Sequence, residues 1–179
     1  MIDLSAEVEL EGGLDVSQTN GCDALCLVFR TPDKLKQINI SLTLCTPEPE
    51  LTQMLVPGGS LLLSAGNTVG YAYPAVGGNP SGDGVSIEAW AKHILDGAQH
   101  STRPYIRFVF PRVYMQIGSK DFSNDLTLHP FDGFGIQNPN FHNGPANDWP
   151  YTPNDRAAAY AFDTGIPAAS CGSQALAAS

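Results

Sequence analysis

Charge is scarce in this chain: only 15% of its 179 residues are Asp, Glu, Lys or Arg, too few for a disordered polyelectrolyte, a coiled coil or a Glu/Lys-rich helical array. Basic residues are scarcer still. Nine Lys and Arg face 18 Asp and Glu, a net charge of −9, which leaves no basic surplus to displace counterions from nucleic acid or to dock on anionic lipid. No apolar run approaches the roughly 18 residues that span a bilayer. The acids between Met1 and Gly12 stand where a signal peptide would carry bases and an apolar stretch, so a soluble, non-exported protein without membrane partners is expected. Cysteine is sparse as well. Cys22, Cys26, Cys45 and Cys171 are too few and too unevenly spaced for a disulfide scaffold or a structural zinc site, and are read as buried thiols. The nucleophile elbow, phosphate-binding loop, dinucleotide fingerprint and zinc-protease helix are all missing, so neither enzymatic activity nor a cofactor is expected.

What the chain has in quantity is apolar residues (42%), 18 glycines and 14 prolines. That mixture favours short strands joined by turns over long helices. Ile2, Leu4, Ala6, Val8 and Leu10 alternate with Asp3, Ser5, Glu7, Glu9 and Glu11, a strand with one apolar and one acidic face. Ala24 to Arg30 reads as a buried strand followed by the turn residues Thr31-Pro32-Asp33, and Ile38 to Cys45 as a second long alternating strand. Thr46 to Glu50, with two prolines and two acids ahead of Leu51, Met54 and Leu55, predicts a short helix near 47–55. Leu61 to Leu63 and Val69 to Val76 read as strands around Gly66-Asn67. A second helix is predicted over 86–95, capped by Ser86, stopped by Gly97 and presenting Ile87, Trp90 and Ile94 to a sheet.

Pro104 to Gly118 is the longest strand candidate, apolar on both parities. Its internal Pro111 predicts a bulge or an edge, with the inward parity reversing beyond it. Leu126 to Gln137 reads as a further strand broken at Asp132-Gly133, and 138–155 as a Pro/Asn-rich loop packed through Phe141, Trp149 and Tyr151. A short element over Ala157 to Phe162 and a flexible tail over 170–179 complete one domain, 1–179. The fold class expected is mainly β: a β-sandwich or partly closed barrel flanked by the helix near 86–95.

Three side-chain groupings bear on function. His129, Asp132, His142 and Asp148 have the chemistry of a metal or hydrolytic cluster, but in loops rich in Asn and Asp such groups more often bond their own backbone. Tyr71, Tyr73, Phe141, Trp149 and Tyr151 could together form a sugar platform, which makes a carbohydrate-binding β-sandwich module the alternative reading. The third grouping is a charge asymmetry. Asp3, Glu7, Glu9, Glu11, Asp15 and Asp23 precede the first base, Arg30, whereas Arg103, Arg107 and Arg112 flank the long strand. An acidic strip is ordinarily a solvated strand face; separate acidic and basic surfaces also let one copy recognise the next.

The segments RPYIRFVFPRVYMQIG (103–118), HPFDGFG (129–135) and NPNFHNGPANDWP (138–150), with SLTLCTPEPE (41–50) and SIEAWAK (86–92) upstream, resemble in their order the major tail tube protein of long-tailed, non-contractile bacteriophages of actinobacteria. The similarity covers about residues 35–160. It implies a structural virion protein without catalytic residues, folded as a β-sandwich or partly closed barrel. Six copies would form a ring, and rings would stack into a tube through which the genome passes. The implied partners are further copies of the chain, the tape measure, terminator and distal tail proteins, and DNA that passes the lumen without specific binding. The implied location is the virion tail, assembled in the host bacterial cytoplasm. On the pattern of residues, Asp3, Glu7, Glu9 and Glu11 are the candidate lumen or inter-ring face, and Tyr105, Arg107, Arg112 and Tyr114 the candidate subunit contact.

Overall fold

The computed structural model describes residues 2–19, 25–45, 48–119, 128–144, 149, 152–163 and 165. It is mainly β, with a strongly curled antiparallel sheet shaped as a half-barrel and one short helix among the described residues. The chain begins with β1 (Ile2–Glu11), the hairpin β2 (Asp15–Thr19) and β3 (Leu25–Arg30), and β4 (Lys34–Leu44). α1 (Pro49–Leu55) and the hairpin β5 (Ser60–Ser64) and β6 (Asn67–Ala72) follow. Then come β7 (Val85–Lys92), the two-residue strands β8 (Ile94–Leu95) and β9 (Ala98–Gln99), β10 (Tyr105–Ile117), β11 (His129–Ile136) and β12 (Ala159–Asp163).

The main sheet runs β1-β4-β11-β10. β7 lies along one edge of β10, while β11 and β12 share the other edge end to end: Tyr105–Val109 sit between β7 and β12, and Val113 between β7 and β11. The alternation of β1 and β4 fixes their register, with Leu4 opposite Leu42 and Glu7 opposite Asn39. Ile38, Ile40, Leu42 and Leu44 thereby enter the core with Val113, Met115 and Phe131, and α1 closes it through Leu55 and Val56. The helix has Pro49 in its first turn, as expected, but no side-chain cap at Glu48; Thr46 and Pro47 lie outside the described residues.

Pro111 does what its missing N–H requires. It falls at a register shift between Phe110 and Val113, and the inward parity reverses there: Phe108 and Phe110 face the main core before it, Val113, Met115 and Ile117 after it. β11 differs from expectation in running unbroken through Asp132-Gly133, which pair with Gln116 and Met115. Gly133 lies so close to Tyr114 O and Met115 that a Cβ would collide with both, which is why glycine serves as a strand residue here.

The predicted helix over 86–95 is instead strand. Val85–Lys92 pairs with β10 from Lys92 opposite Tyr105 to Val85 opposite Val113. Ile87 packs on the main core, Trp90 points to the opposite face, and Ile94 is 55% exposed on β8. A ten-residue helix has marginal stability of its own, and ladder bonds along β10 plus cover on both faces outweigh it. Gly97, expected as a helix stop, is with Asp96 a positive-φ turn pair (φ 79° and 51°) joining β8 to β9, the hairpin use of the same conformation.

Candidate assembly surface

Opposite the main core, the sheet presents a second face that grades from acid to base. On β1 it carries Asp3, Ser5, Glu7 and Glu9; register then brings Gln37, Asn39, Ser41 and Thr43 of β4, and Phe134 and Asp132 of β11. Tyr114, Arg112 and Arg107 of β10 complete it. Asp3, Glu7 and Glu9 on the edge strand β1 thus share one face with Arg107 and Arg112 on the interior strand β10. Between them lies a shallow hollow lined by Glu7, Asn39, Ser41, Gln116 and Asp132, with Ser41 Oγ donating to Asp132 Oδ1 at 3.0 Å.

Asp3, Glu7 and Glu11 are exposed. Glu9 is tied across the ribbon, accepting from Lys36 Nζ at 2.6 Å, Gln37 Nε2 at 2.8 Å and Asn39 Nδ2 at 3.1 Å. The bond from Lys36, then that from Asn39, holds its carboxyl below the usual range, and Glu9 in turn raises the Lys36 ammonium.

The basic side is not a free surface. Arg107, expected at a subunit contact, is 4% exposed. Its Nη2 donates to both carboxylate oxygens of Glu88, at 3.1 and 3.0 Å, and its guanidinium lies 5.3 Å from the Trp90 ring centre and 4.7 Å from that of Trp149. Trp149 Nε1 donates to the same Glu88 at 2.8 Å. Phe141, Trp149 and Val109 bury together here as a second, smaller core, so residues 138–144 and Trp149 form a pad folded onto the sheet. A charge this deep is tolerated because it is paired and flanked by two aromatic faces. Arg112 is half-buried and donates to Asn138 Oδ1 at 3.2 Å, tying the start of the pad. Tyr114 is half-buried beside Phe134, ring centres 5.4 Å apart, and Tyr105 is half-buried between Lys92 and Asp163. Of the four candidate contact residues, none is fully exposed.

Exposed apolar side chains occur on the β5–β6 hairpin, β8 and β12, and a further run of them, which alternation alone did not locate, follows the end of the sheet. β11 pairs with β4 only from Leu44 to Ile38, yet β1 and β4 stay paired to Glu11 and Lys34. Beyond Ile38 they form a two-stranded ribbon that continues into the β2–β3 hairpin. Val8 (59%), Leu10 (55%), Leu14 (59%), Leu35 (52%) and Phe29 (50%) are exposed along it. Thr31 Oγ1 and Asp33 Oδ1 accept from the N–H groups of Leu14 and Gly13, fixing the crossover.

The other groupings do not assemble. Phe141 and Trp149 are buried, leaving only Tyr71 and Tyr73, edge-on at 6.1 Å, of the described members of the sugar platform; Tyr151 lies outside the described residues. Among the described residues no group of three or more His, Cys, Asp or Glu is placed to hold a metal ion, and Asp148 lies outside them. Cys22 and Cys171 are also outside them. No family model, curated protein or solved structure matches the chain.

Proposed function

We propose that this protein is a structural subunit that assembles with copies of itself, in the manner of the tail tube protein it resembles: rings of six stacked into a conduit for phage DNA, with no catalytic role. The observation that carries the reading is the ribbon beyond Ile38. Two strands and a hairpin arm expose five large apolar side chains that join neither buried cluster among the described residues, an arrangement that a soluble monomer avoids and an assembling subunit uses. The outer edge of β1, ten residues long, has no neighbouring strand among the described residues, and an open edge of that length is a template for pairing with another chain. The net charge of −9 per copy suits a wall along which a polyanion slides without sticking.

Negative-stain imaging of the purified full chain tests the proposal. Rings or tubes are the expected result; a dispersed monomer at high concentration, by imaging and by light scattering, defeats it.

A further inference from the structure

The β5–β6 hairpin packs on α1 and carries apolar side chains that neither buried cluster includes. Leu62, Leu63 and Val69 are exposed on it, Leu63 and Val69 the more open at 65% and 61%. From Leu51 to Gly82 the sequence has no Asp, Glu, Lys, Arg or His. Glu50 reaches the hairpin from α1, where Thr68 donates to its carboxylate and holds it below the usual range. An apolar surface built without ions costs little to desolvate when a partner covers it.

The ribbon beyond Ile38 has a face of the same kind. Val8 stands opposite Ile38 and Leu10 opposite Leu35, and alternation puts Glu7, Glu9 and Glu11 on the other side of β1. A third exposed apolar group, Ile94 and Leu95 on β8 with Tyr160 and Phe162 on β12, is set among charges. Lys92, Asp96, Arg103 and Asp163 lie on or beside those strands, and the Arg103 guanidinium is 5.5 Å from the Phe162 ring centre. Covering that corner would bury ions.

We infer that the β5–β6 hairpin of one copy receives the apolar face of the β1–β4 ribbon of the next. The inference rests on the assembly reading above and names the two surfaces that would meet. Neighbours in a ring of six, or in a stack of like-oriented rings, are not related by a two-fold axis, so a patch on one copy meets a different patch on the next. Ribbon against ribbon would be self-complementary and would stop at a dimer. Of the other two apolar groups, the hairpin takes the ribbon without desolvating an unpaired ion, and the charged corner does not.

The test mixes two variants of the full chain, each spoiled at one patch, and reads their mass by analytical ultracentrifugation. Leu10→Asp places a carboxylate on the ribbon face and Leu63→Asp places one on the hairpin. Both positions are exposed in the single copy, so melting temperatures should stay near wild type; where Leu63→Asp lowers it, Val69→Asp takes its place. Alone, each variant should need a concentration roughly tenfold or more above that of the wild type to assemble. Mixed in equal amounts, they should form a heterodimer that grows no further, because the intact ribbon of L63D meets the intact hairpin of L10D. Assembly of L63D and V69D at the wild-type concentration overturns the inference and leaves the assembly reading standing. So does a mixture in which the two blocked variants fail to combine. A wild type that stays monomeric at high concentration defeats the assembly reading itself, and the inference with it.

Discussion

The two ends of the sheet are built on opposite terms. β10 itself has neighbouring strands on both edges and cover on both faces: the main core lies on one side and the Arg107–Glu88 pair under its tryptophan pad on the other. Along the ribbon of β1 and β4 beyond Ile38, one strand pair carries apolar residues that face solvent and acids whose described partners are side chains on the adjacent strand. On the assembly reading, the contrast separates where the chain supplies its own burial from where a neighbouring copy would supply it. The β10 region has what a folded monomer needs; the ribbon has what a contact between subunits needs.

The largest test of that contrast is a pair of equal truncations. Phe131 is 1% exposed in the main core and Phe29 is 50% exposed on the hairpin arm. Phe131→Ala is expected to cost about 3–5 kcal/mol of unfolding free energy, read by urea denaturation of the unassembled protein. Phe29→Ala should change it by under about 0.5 kcal/mol and instead reduce assembly. An equal loss of stability in both variants would mean that the arm packs within the monomer.

Breaking the buried ion pair comes next. Arg107→Met leaves Glu88 without its bidentate partner and should destabilise the monomer by about 3 kcal/mol. Charge reversal at Arg107, a candidate subunit contact on its sequence pattern, should by the same reasoning unfold the monomer. Adding Glu88→Gln to Arg107→Met should recover much of the loss, because no uncompensated charge remains. A double variant as unstable as the single one would assign the cost to packing between the two tryptophans rather than to charge.

A smaller effect belongs to Tyr71, which joins the β5–β6 hairpin to the end of α1 by donating from its hydroxyl to Val56 O at 2.5 Å. Tyr71→Phe should cost about 1 kcal/mol. Burial pushes this phenol up, so the neutral form is favoured in the folded state. Its contribution is complete below the unfolded-state value and declines as pH rises through the folded one. The wild type should therefore lose stability in an alkaline step that Tyr71→Phe lacks, as followed by tyrosinate absorbance alongside circular dichroism.

How much of this was legible beforehand depends on whether a segment has one covered face or two. From Ile38 to Leu44, β4 buries one face and exposes the other, so a period of two is visible in its residues, and the burial of Ile38, Ile40, Leu42 and Leu44 follows it. Pro111 announced its own bulge, because a missing N–H is a property of the residue and needs no partner. β7 was illegible for the opposite reason. Ile87 meets the main core while Trp90 meets Arg107 across the sheet, and apolar residues on both faces at a spacing of three mimic a helical stripe. Asp96-Gly97 compounded the error, since a left-handed residue pair ends a helix or turns a hairpin equally well. Arg107 looked like surface because its partner, Glu88, is 19 residues away and arrives only through the β7–β10 register. The exposed ribbon was hidden because alternation reports which residues share a face and not whether anything covers that face.

The smallest predicted effect probes the acidic side of the contrast. Glu9 is the acidic residue on β1 that the structure ties to a base, and its carboxyl is held low chiefly by Lys36, with help from Asn39 and Gln37. A depressed carboxyl contributes stability above its unfolded-state value and loses it as pH falls through the folded one. Both partners are well exposed, 52% for Lys36 and 33% for Glu9, so salt and solvent screen the pair strongly. Glu9→Gln should accordingly leave the melting temperature within error at high salt. At low salt it should remove a slight acid-dependent loss that the wild type shows. A marked destabilisation at high salt would show the ribbon to be an integral part of the folded unit, and would take away the distinction between a self-sufficient end and an unsatisfied one on which the assembly reading rests.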